Sequence, residues 1–169
     1  MNISDHITYE EAIRSKKAEE LGIDNFPDSH QLANMIITAI KLFEPVRTNF
    51  DVPIYIASFF RSKELNKVIG GSTTSDHMTG EAMDIDASEY GRVTNKNIFE
   101  YVKDNLDFDQ LIAENVTDNK WADFGWVHFS YKSVGNRNEV LLSEMLNGKM
   151  KYYTYNHNKG FDIKLYRNG

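Results

Sequence analysis

The amino-acid sequence predicts an α+β fold in which a small, mainly antiparallel sheet carries N-terminal helices packed on it. Helical patterns come first along the chain, and runs of strand-forming residues follow without a strand–helix–strand repeat. Near the end, Asn147-Gly148 separates two strand-like runs, which is the strongest short-range signal for a β-hairpin. The length of 169 residues suits one ordinary domain, so we expect residues 1–169 to form a single domain.

Two helices are predicted in the first third of the chain. Thr8 and Glu11 form a T-x-x-E capping box, which predicts a helix over about residues 9–20. The turn-forming and capping residues at 27–29 predict the start of a second helix. Its apolar residues recur at spacings of three and four: Leu32, Met35, Ile36, Ala39, Ile40 and Phe43. Pro45 is expected to end it, because proline disrupts a helix interior.

The remaining elements alternate between short strands and short helices. Strands are predicted at 53–60, 81–87, 108–114 and 125–131, where β-branched and aromatic residues gather or alternate with polar ones. Ser62 is a cap for a helix through Val68, which Gly70-Gly71 ends, and Thr94 is a cap for a helix to about Asn105.

Composition excludes several classes of function. The net charge of −6 does not suit general nucleic-acid binding, which needs a basic surface. The absence of cysteine excludes disulfides and thiolate metal sites. No apolar run reaches the roughly 18 residues of a transmembrane helix, and the N-terminus lacks the apolar core of a signal peptide. We therefore expect no nucleic-acid partner, no membrane insertion and synthesis in a cytoplasm.

Candidate metal ligands occur in two segments. In 75–86, His77 lies on a glycine-containing loop and Asp84 lies within a strand, where an unpaired carboxylate is costly and a cation is a good partner. In 125–131, His128 lies mid-strand among large apolar residues. Each of the three has an ordinary structural explanation when taken alone. Together they make three nitrogen and oxygen ligands, which is the usual protein set of a catalytic zinc site with one open position.

A hydrolytic zinc site also needs a general base nearby. Glu114 ends the strand 108–114, and a hairpin-like return would bring it beside the strand that carries His128. Asp123 lies closer to that strand in sequence, although a solvated turn residue explains it equally well. We favour Glu114 as the base and keep Asp123 as the alternative.

Two motifs resemble those of the M15 peptidases, which are zinc D-Ala-D-Ala carboxypeptidases and L-Ala-D-Glu endopeptidases of peptidoglycan, including phage endolysins. One motif is Ser-x-His-x-x-Gly-x-Ala-x-Asp-Ile at 75–85, and the other is Trp-Val-His-x-Ser at 126–130. The stretch Arg-Ser-Lys-Glu-Leu-Asn-Lys-Val-Ile-Gly-Gly-Ser at 61–72 resembles the subgroup common in phages and prophage regions. The similarity covers about residues 5–131, which leaves the hairpin and tail at 138–169 outside it.

The resemblance implies a fold like that of Hedgehog proteins and D-Ala-D-Ala peptidases. It implies zinc on His77, Asp84 and His128, and substrate contacts from Arg61 and Ser75. A guanidinium suits a peptide carboxylate, although a salt bridge that orders the loop also explains Arg61.

The resemblance further implies a phage or prophage enzyme that cleaves peptidoglycan stem peptides, acting on the cell wall after release from the cytoplasm or as part of a virion. Many relatives carry the catalytic acid three residues before the last histidine, where this chain has Gly125. The alternative is a zinc-binding module on the same fold without catalytic activity, which serves as a structural part of the virion or as a binding module.

Overall fold

A computed structural model of the chain describes residues 1–117 and 124–155. Helices span Tyr9–Ile13 (α1), Lys16–Leu21 (α2), Ser29–Thr38 (α3), Glu44–Phe50 (α4), Lys63–Val68 (α5) and Asn95–Asn105 (α6). A π-helical turn covers Ala39–Phe43 and a 3₁₀ turn covers Asp76–Thr79. Strands span Asn2–Ser4 (β1), Ile7–Thr8 (β2), Tyr55–Ser58 (β3), Ala82–Asp86 (β4), Gln110–Val116 (β5), Phe124–Ser130 (β6), Glu139–Leu146 (β7) and Lys149–Thr154 (β8). The architecture is α+β, as the sequence predicts.

The main sheet has the strand order β3-β4-β6-β5-β7-β8 within the described residues, and β1 pairs with β2 in a separate small sheet. Every neighbouring pair in the main sheet is antiparallel except β5 and β7, which are parallel. The sheet is therefore mixed, although mainly antiparallel. The parallel pair places the C-terminal hairpin beside β5, and the sequence did not predict this contact.

Alternation along the strands separates a core face from a polar face. Met83 and Ile85 on β4 and Val127 and Phe129 on β6 are fully buried in the main hydrophobic cluster. Helix α6 contributes Ile98, Phe99 and Val102 to the same cluster. The neighbouring residues of β4 and β6 face away from that core. The sequence predicts the same faces, because alternation places Asp84 opposite Met83 and Ile85, and His128 opposite Val127 and Phe129.

The prediction of one continuous helix over about residues 9–20 is wrong, because the chain forms two helices there. α1 ends at Ile13, and Ser15 begins α2 by accepting a hydrogen bond from the backbone N–H of Ala18. Ser15 competes with the helix for backbone donors, so the segment bends where the sequence pattern suggested one continuous helix. Gly22 ends α2 in the left-handed conformation.

The prediction that Pro45 ends the second helix is also wrong. The helical backbone runs on from α3 through the π-helical turn into α4, which ends at Phe50. In the π-helical turn the backbone N–H of Glu44 reaches back five residues to the carbonyl of Ala39. Pro45 then occupies the first turn of α4, where its missing N–H leaves no hydrogen bond unmade.

The other predicted elements are present with shifted ends. Thr94 caps α6 through a capping box with Asn97, and Ser62 caps α5 through the backbone N–H of Leu65. β7 and β8 form the predicted hairpin, and its turn residues Asn147 and Gly148 both have positive φ, as a type I′ turn requires. None of the described helices combines the length and apolar character needed to cross a membrane.

Candidate metal centre and peptide cleft

Three side chains from separate segments converge on the polar face of the sheet. His77 comes from the 3₁₀ turn, Asp84 from β4 and His128 from β6, and one ligand atom of each lies within 4.8 Å of the others. Asp84 and His128 are direct partners in the β4–β6 register, so the sheet itself sets this pair. The structure thus brings together the three residues that the sequence proposes as metal ligands.

His77 is held in one orientation by the backbone. Its Nδ1 lies 2.7 Å from the carbonyl oxygen of Phe59, which can only accept, so Nδ1 carries the hydrogen and donates it. Nε2 is left as a bare lone pair in the neutral ring. This atom is buried, lacks a hydrogen-bond partner among the described residues and lies 3.2 Å from Oδ2 of Asp84. A lone pair facing a carboxylate is repulsive unless a cation lies between them, so the arrangement fits a metal ion.

The ionisation of the two residues agrees with this reading. Burial lowers the pKa of His77 and outweighs the attraction of Asp84, so the imidazole stays neutral, as a metal ligand must. Burial alone would raise the pKa of Asp84. The interactions of Asp84 with the two adjacent histidines, His77 and His128, outweigh burial and hold the pKa of that carboxyl well below its usual range. Nδ1 of His128 lies 2.8 Å from Oδ1 of Asp84.

The loop that carries His77 depends on two close contacts with helix α3. Gly80 has φ of 78°, and a Cβ added there would lie 2.4 Å from the carbonyl oxygen of Gln31 on α3. The side chain of Gln31 also donates to the carbonyl of Met78 at 2.9 Å. Helix α3 therefore fixes the turn between His77 and β4, and this explains why the motif contains glycine at position 80.

Glu114 lies on the same face as the candidate ligands. It pairs with Trp126 across the β5–β6 register and is only 7% exposed. Ser143 on β7 donates a hydrogen bond from Oγ to its carboxylate. Burial raises the pKa of Glu114, and the Ser143 hydrogen bond and the charge of His128 only partly oppose this. A carboxylate with a raised pKa next to a cavity is a stronger proton acceptor than an ordinary carboxylate. Asp123 lies outside the described residues.

Arg61 borders the same site. Its Nη2 donates to Oδ2 of Asp84 at 3.2 Å, which is the salt bridge that the sequence left open as an alternative role. Its Nε is buried and has no hydrogen-bond partner within the described ranges. Burial lowers the pKa of Arg61, although Asp84 and Glu114 oppose the effect. The guanidinium is thus anchored at one nitrogen and retains further donors for an anionic group.

The candidate residues line one open cavity of about 740 Å³. Its walls include Arg61, Ser75, His77, Asp84, Glu114, Trp126, His128, Leu141 and Tyr152. At the rim, Lys132 donates to Asp76 at 2.9 Å, and this ion pair joins the His77 turn to the segment after β6. The volume and the mixed polar and apolar walls suit a short peptide or a ligand of similar size.

Sequence reasoning missed Ser143, Lys132 and Tyr152. Ser143 and Tyr152 lie in a hairpin that was predicted, but its position beside β5 depends on the parallel pairing of β5 with β7. The available signal was Ser143 in the middle of an apolar strand, where a buried hydroxyl needs a partner. Apart from its position shortly after His128, nothing in the sequence indicates that Lys132 lies at the site.

A comparison with protein families agrees with the geometry of the site. A search of curated proteins finds no match for the chain. Residues 5–115 match the family described as Peptidase M15, and this range covers His77, Asp84 and Glu114 while His128 follows it. The described α+β architecture is consistent with that family. With a match over more than half of its length and a His-Asp-His group that could hold a metal, the chain belongs to the M15 peptidase family.

Proposed function

We propose that the protein is a zinc-dependent peptidase that hydrolyses peptidoglycan stem peptides, as a D-Ala-D-Ala carboxypeptidase or an L-Ala-D-Glu endopeptidase. The observation that carries the proposal is the bare, buried Nε2 of His77 facing Asp84, beside His128 and in a peptide-sized cavity. Two imidazoles and one carboxylate form a donor set that zinc accepts in catalytic sites. Because two of the three ligands are imidazole nitrogens, this donor set favours zinc over metals that prefer oxygen ligands alone.

The chain's own residues divide the work of hydrolysis. When bound, zinc would lower the pKa of the attacking water to about 7 and would polarise the carbonyl of the substrate. Glu114 accepts the proton of the attacking water and later returns it to the leaving amine. Its burial and its contact with Ser143 support this role. Arg61 and Ser75 bind the substrate, and the guanidinium of Arg61 is suited to a peptide carboxylate.

The proposal includes a place of action. The protein is encoded by a phage or prophage, is made in a bacterial cytoplasm and reaches the cell wall after release or as part of a virion. Support for this part comes only from the motif at 61–72, which resembles the subgroup common in phages and prophage regions.

The test is cleavage of defined substrates. Purified protein is incubated with intact peptidoglycan and with synthetic stem peptides that contain either bond, and products are identified by mass spectrometry. Each reaction is run after chelator treatment and again after zinc is restored. We expect one of the two bonds to be cut only in the presence of the metal. Intact substrates in every zinc-restored reaction would contradict the proposal.

A further inference from the structure

A row of three polar side chains crosses the sheet away from the candidate metal centre. Glu114 on β5 accepts a hydrogen bond from Ser143 on β7, and Ser143 is the direct register partner of Tyr152 on β8. Directly opposite residues of an antiparallel pair point to the same face. Tyr152 therefore belongs to the face that carries Glu114, whereas its neighbour Tyr153 packs towards the core and donates to Glu144.

Tyr152 lines the same cavity as the candidate ligands. Its side chain is 53% exposed, and no residue in the described ranges forms a hydrogen bond with its hydroxyl. Partial burial, together with the charges of Glu114 and Asp84, raises the pKa of this phenol, so it keeps its proton at neutral pH and can donate. A half-exposed aromatic ring with a free donor on a cleft wall is a common way to bind a peptide.

The strand order gives the approximate distance between β8, which carries Tyr152, and β6, which carries His128. β8 is three strand positions from β6, which carries His128, and strands are spaced by about 4.8 Å. The backbone of β8 is therefore about 14 Å from that of β6, which is the length of roughly four residues of extended peptide. From there Tyr152 does not contact the scissile bond. It can contact a part of the substrate that extends along the cavity.

We propose that the Tyr152 hydroxyl donates a hydrogen bond to the substrate peptide several residues from the scissile bond, at the end of the cavity opposite Arg61. The C-terminal hairpin forms this subsite, and the hairpin lies beyond the residues that match the family. Tyr152 thereby makes the protein favour stem peptides over dipeptides. This inference rests on the proposed peptidase function, because it names a further contact of the same site.

The experiment compares Tyr152→Phe, which removes only the hydroxyl, with Tyr152→Ala, which also removes the ring. The matched control is Tyr90→Phe, because Tyr90 is 51% exposed and is not part of the cavity wall. KM and kcat are measured on a series of peptides from two to five residues that contain the scissile bond.

We expect Tyr152→Phe to raise KM about three- to tenfold for the longest peptide, the loss that one neutral hydrogen bond produces. KM for the shortest peptide that is cleaved stays unchanged, and so does kcat for both. Tyr152→Ala has a larger effect with the same dependence on length. Equal changes in KM for long and short peptides, or no change for either, would overturn the inference.

A binding measurement separates this inference from the proposed function. The dissociation constants of the same peptides are measured by calorimetry on zinc-loaded Glu114→Gln protein, with and without Tyr152→Phe. If the protein binds long peptides in a Tyr152-dependent way but no variant cleaves them, only the peptidase proposal fails. If cleavage occurs but binding does not depend on Tyr152, only the subsite fails. If neither cleavage nor peptide binding is found, both fail.

Discussion

The Nδ1–H of His77 donates to the carbonyl of Phe59, and this single contact decides that Nε2 is the nitrogen facing Asp84. Phe59 follows directly after β3, which pairs with β4, so the sheet that holds Asp84 also positions the backbone group that orients His77. The candidate site is therefore built by the fold, and it does not depend on a flexible side-chain arrangement. Outer contacts of this kind fix the tautomer of ligand histidines in known metal sites.

Zinc binding is the first measurable consequence of the proposed function. We expect His77→Ala to lower zinc affinity by more than about 100-fold, because loss of even an outer partner costs 10- to 100-fold. The measurement is competition with a fluorescent zinc chelator, using metal-free protein. His30→Ala is the control, since His30 is exposed at the start of α3. Equal zinc affinity of the two variants would show that His77 is not a ligand.

Glu114→Gln tests the proposed general base. The amide keeps the shape of the side chain but cannot take up the proton, so kcat is expected to fall by about 10² to 10⁴. Zinc affinity stays the same, because Glu114 is not one of the three candidate ligands. Glu64→Gln, on the exposed side of α5, serves as the control. An unchanged kcat in Glu114→Gln would reassign the base and bring Asp123 forward.

Ser143→Ala tests how the pKa of Glu114 is set. The hydrogen bond from Ser143 favours the charged carboxylate and lowers its pKa, so its removal raises the pKa further. Because the base must be deprotonated, the acidic limb of the pH profile of kcat is expected to move to higher pH. Ser143 also accepts from the backbone N–H of Asn115 at 3.0 Å, so the variant loses about 1–3 kcal/mol of stability. A stability loss with an unshifted pH profile would mean that Ser143 only supports the strand.

Arg61→Lys separates substrate binding from the structural salt bridge with Asp84. Lysine keeps a charge near Asp84 but loses the forked geometry that binds a carboxylate with two hydrogen bonds. We expect KM to rise about 10- to 100-fold for a peptide with a free C-terminal carboxylate, on the scale of a charge-assisted hydrogen bond. KM for the matching C-terminal amide is expected to change little. Parallel changes for both peptides would assign Arg61 to ordering Asp84 alone.

Gly80→Ala tests the contact between α3 and the turn that carries His77. A non-glycine residue at positive φ costs about 1–2 kcal/mol, and the added Cβ would also collide with the carbonyl of Gln31 at 2.4 Å. Gly22→Ala is a close control, because its φ of 64° is similar and nothing lies within 4 Å of the added atom. Denaturant unfolding should show a clearly larger loss for Gly80→Ala. Similar losses would mean that the contact with α3 relaxes at no cost.

Local sequence patterns predicted most of the elements because they depend on neighbours in the chain. Such patterns predict the cap at Thr94, the turn at Asn147-Gly148 and the alternating faces of β4, and the structure has all three. The failures occurred where local signals compete. Ser15 interrupts a helical pattern with a cap of its own, and the π-helical turn before Pro45 lets the helix continue.

By itself, the sequence determined the polar and core faces of β4 and β6 and named His77, Asp84, His128 and Glu114 as candidates. Period-two alternation is a local property of an extended chain, so it can be read without a structure. The tertiary structure decided which strands are neighbours, and therefore that Asp84 opposes His128 and that Ser143 contacts Glu114 across 29 positions of sequence. It also decided that the parallel pairing of β5 with β7 brings Tyr152 to the cavity. Strand register is fixed by long-range burial and hydrogen bonding, which no local pattern encodes.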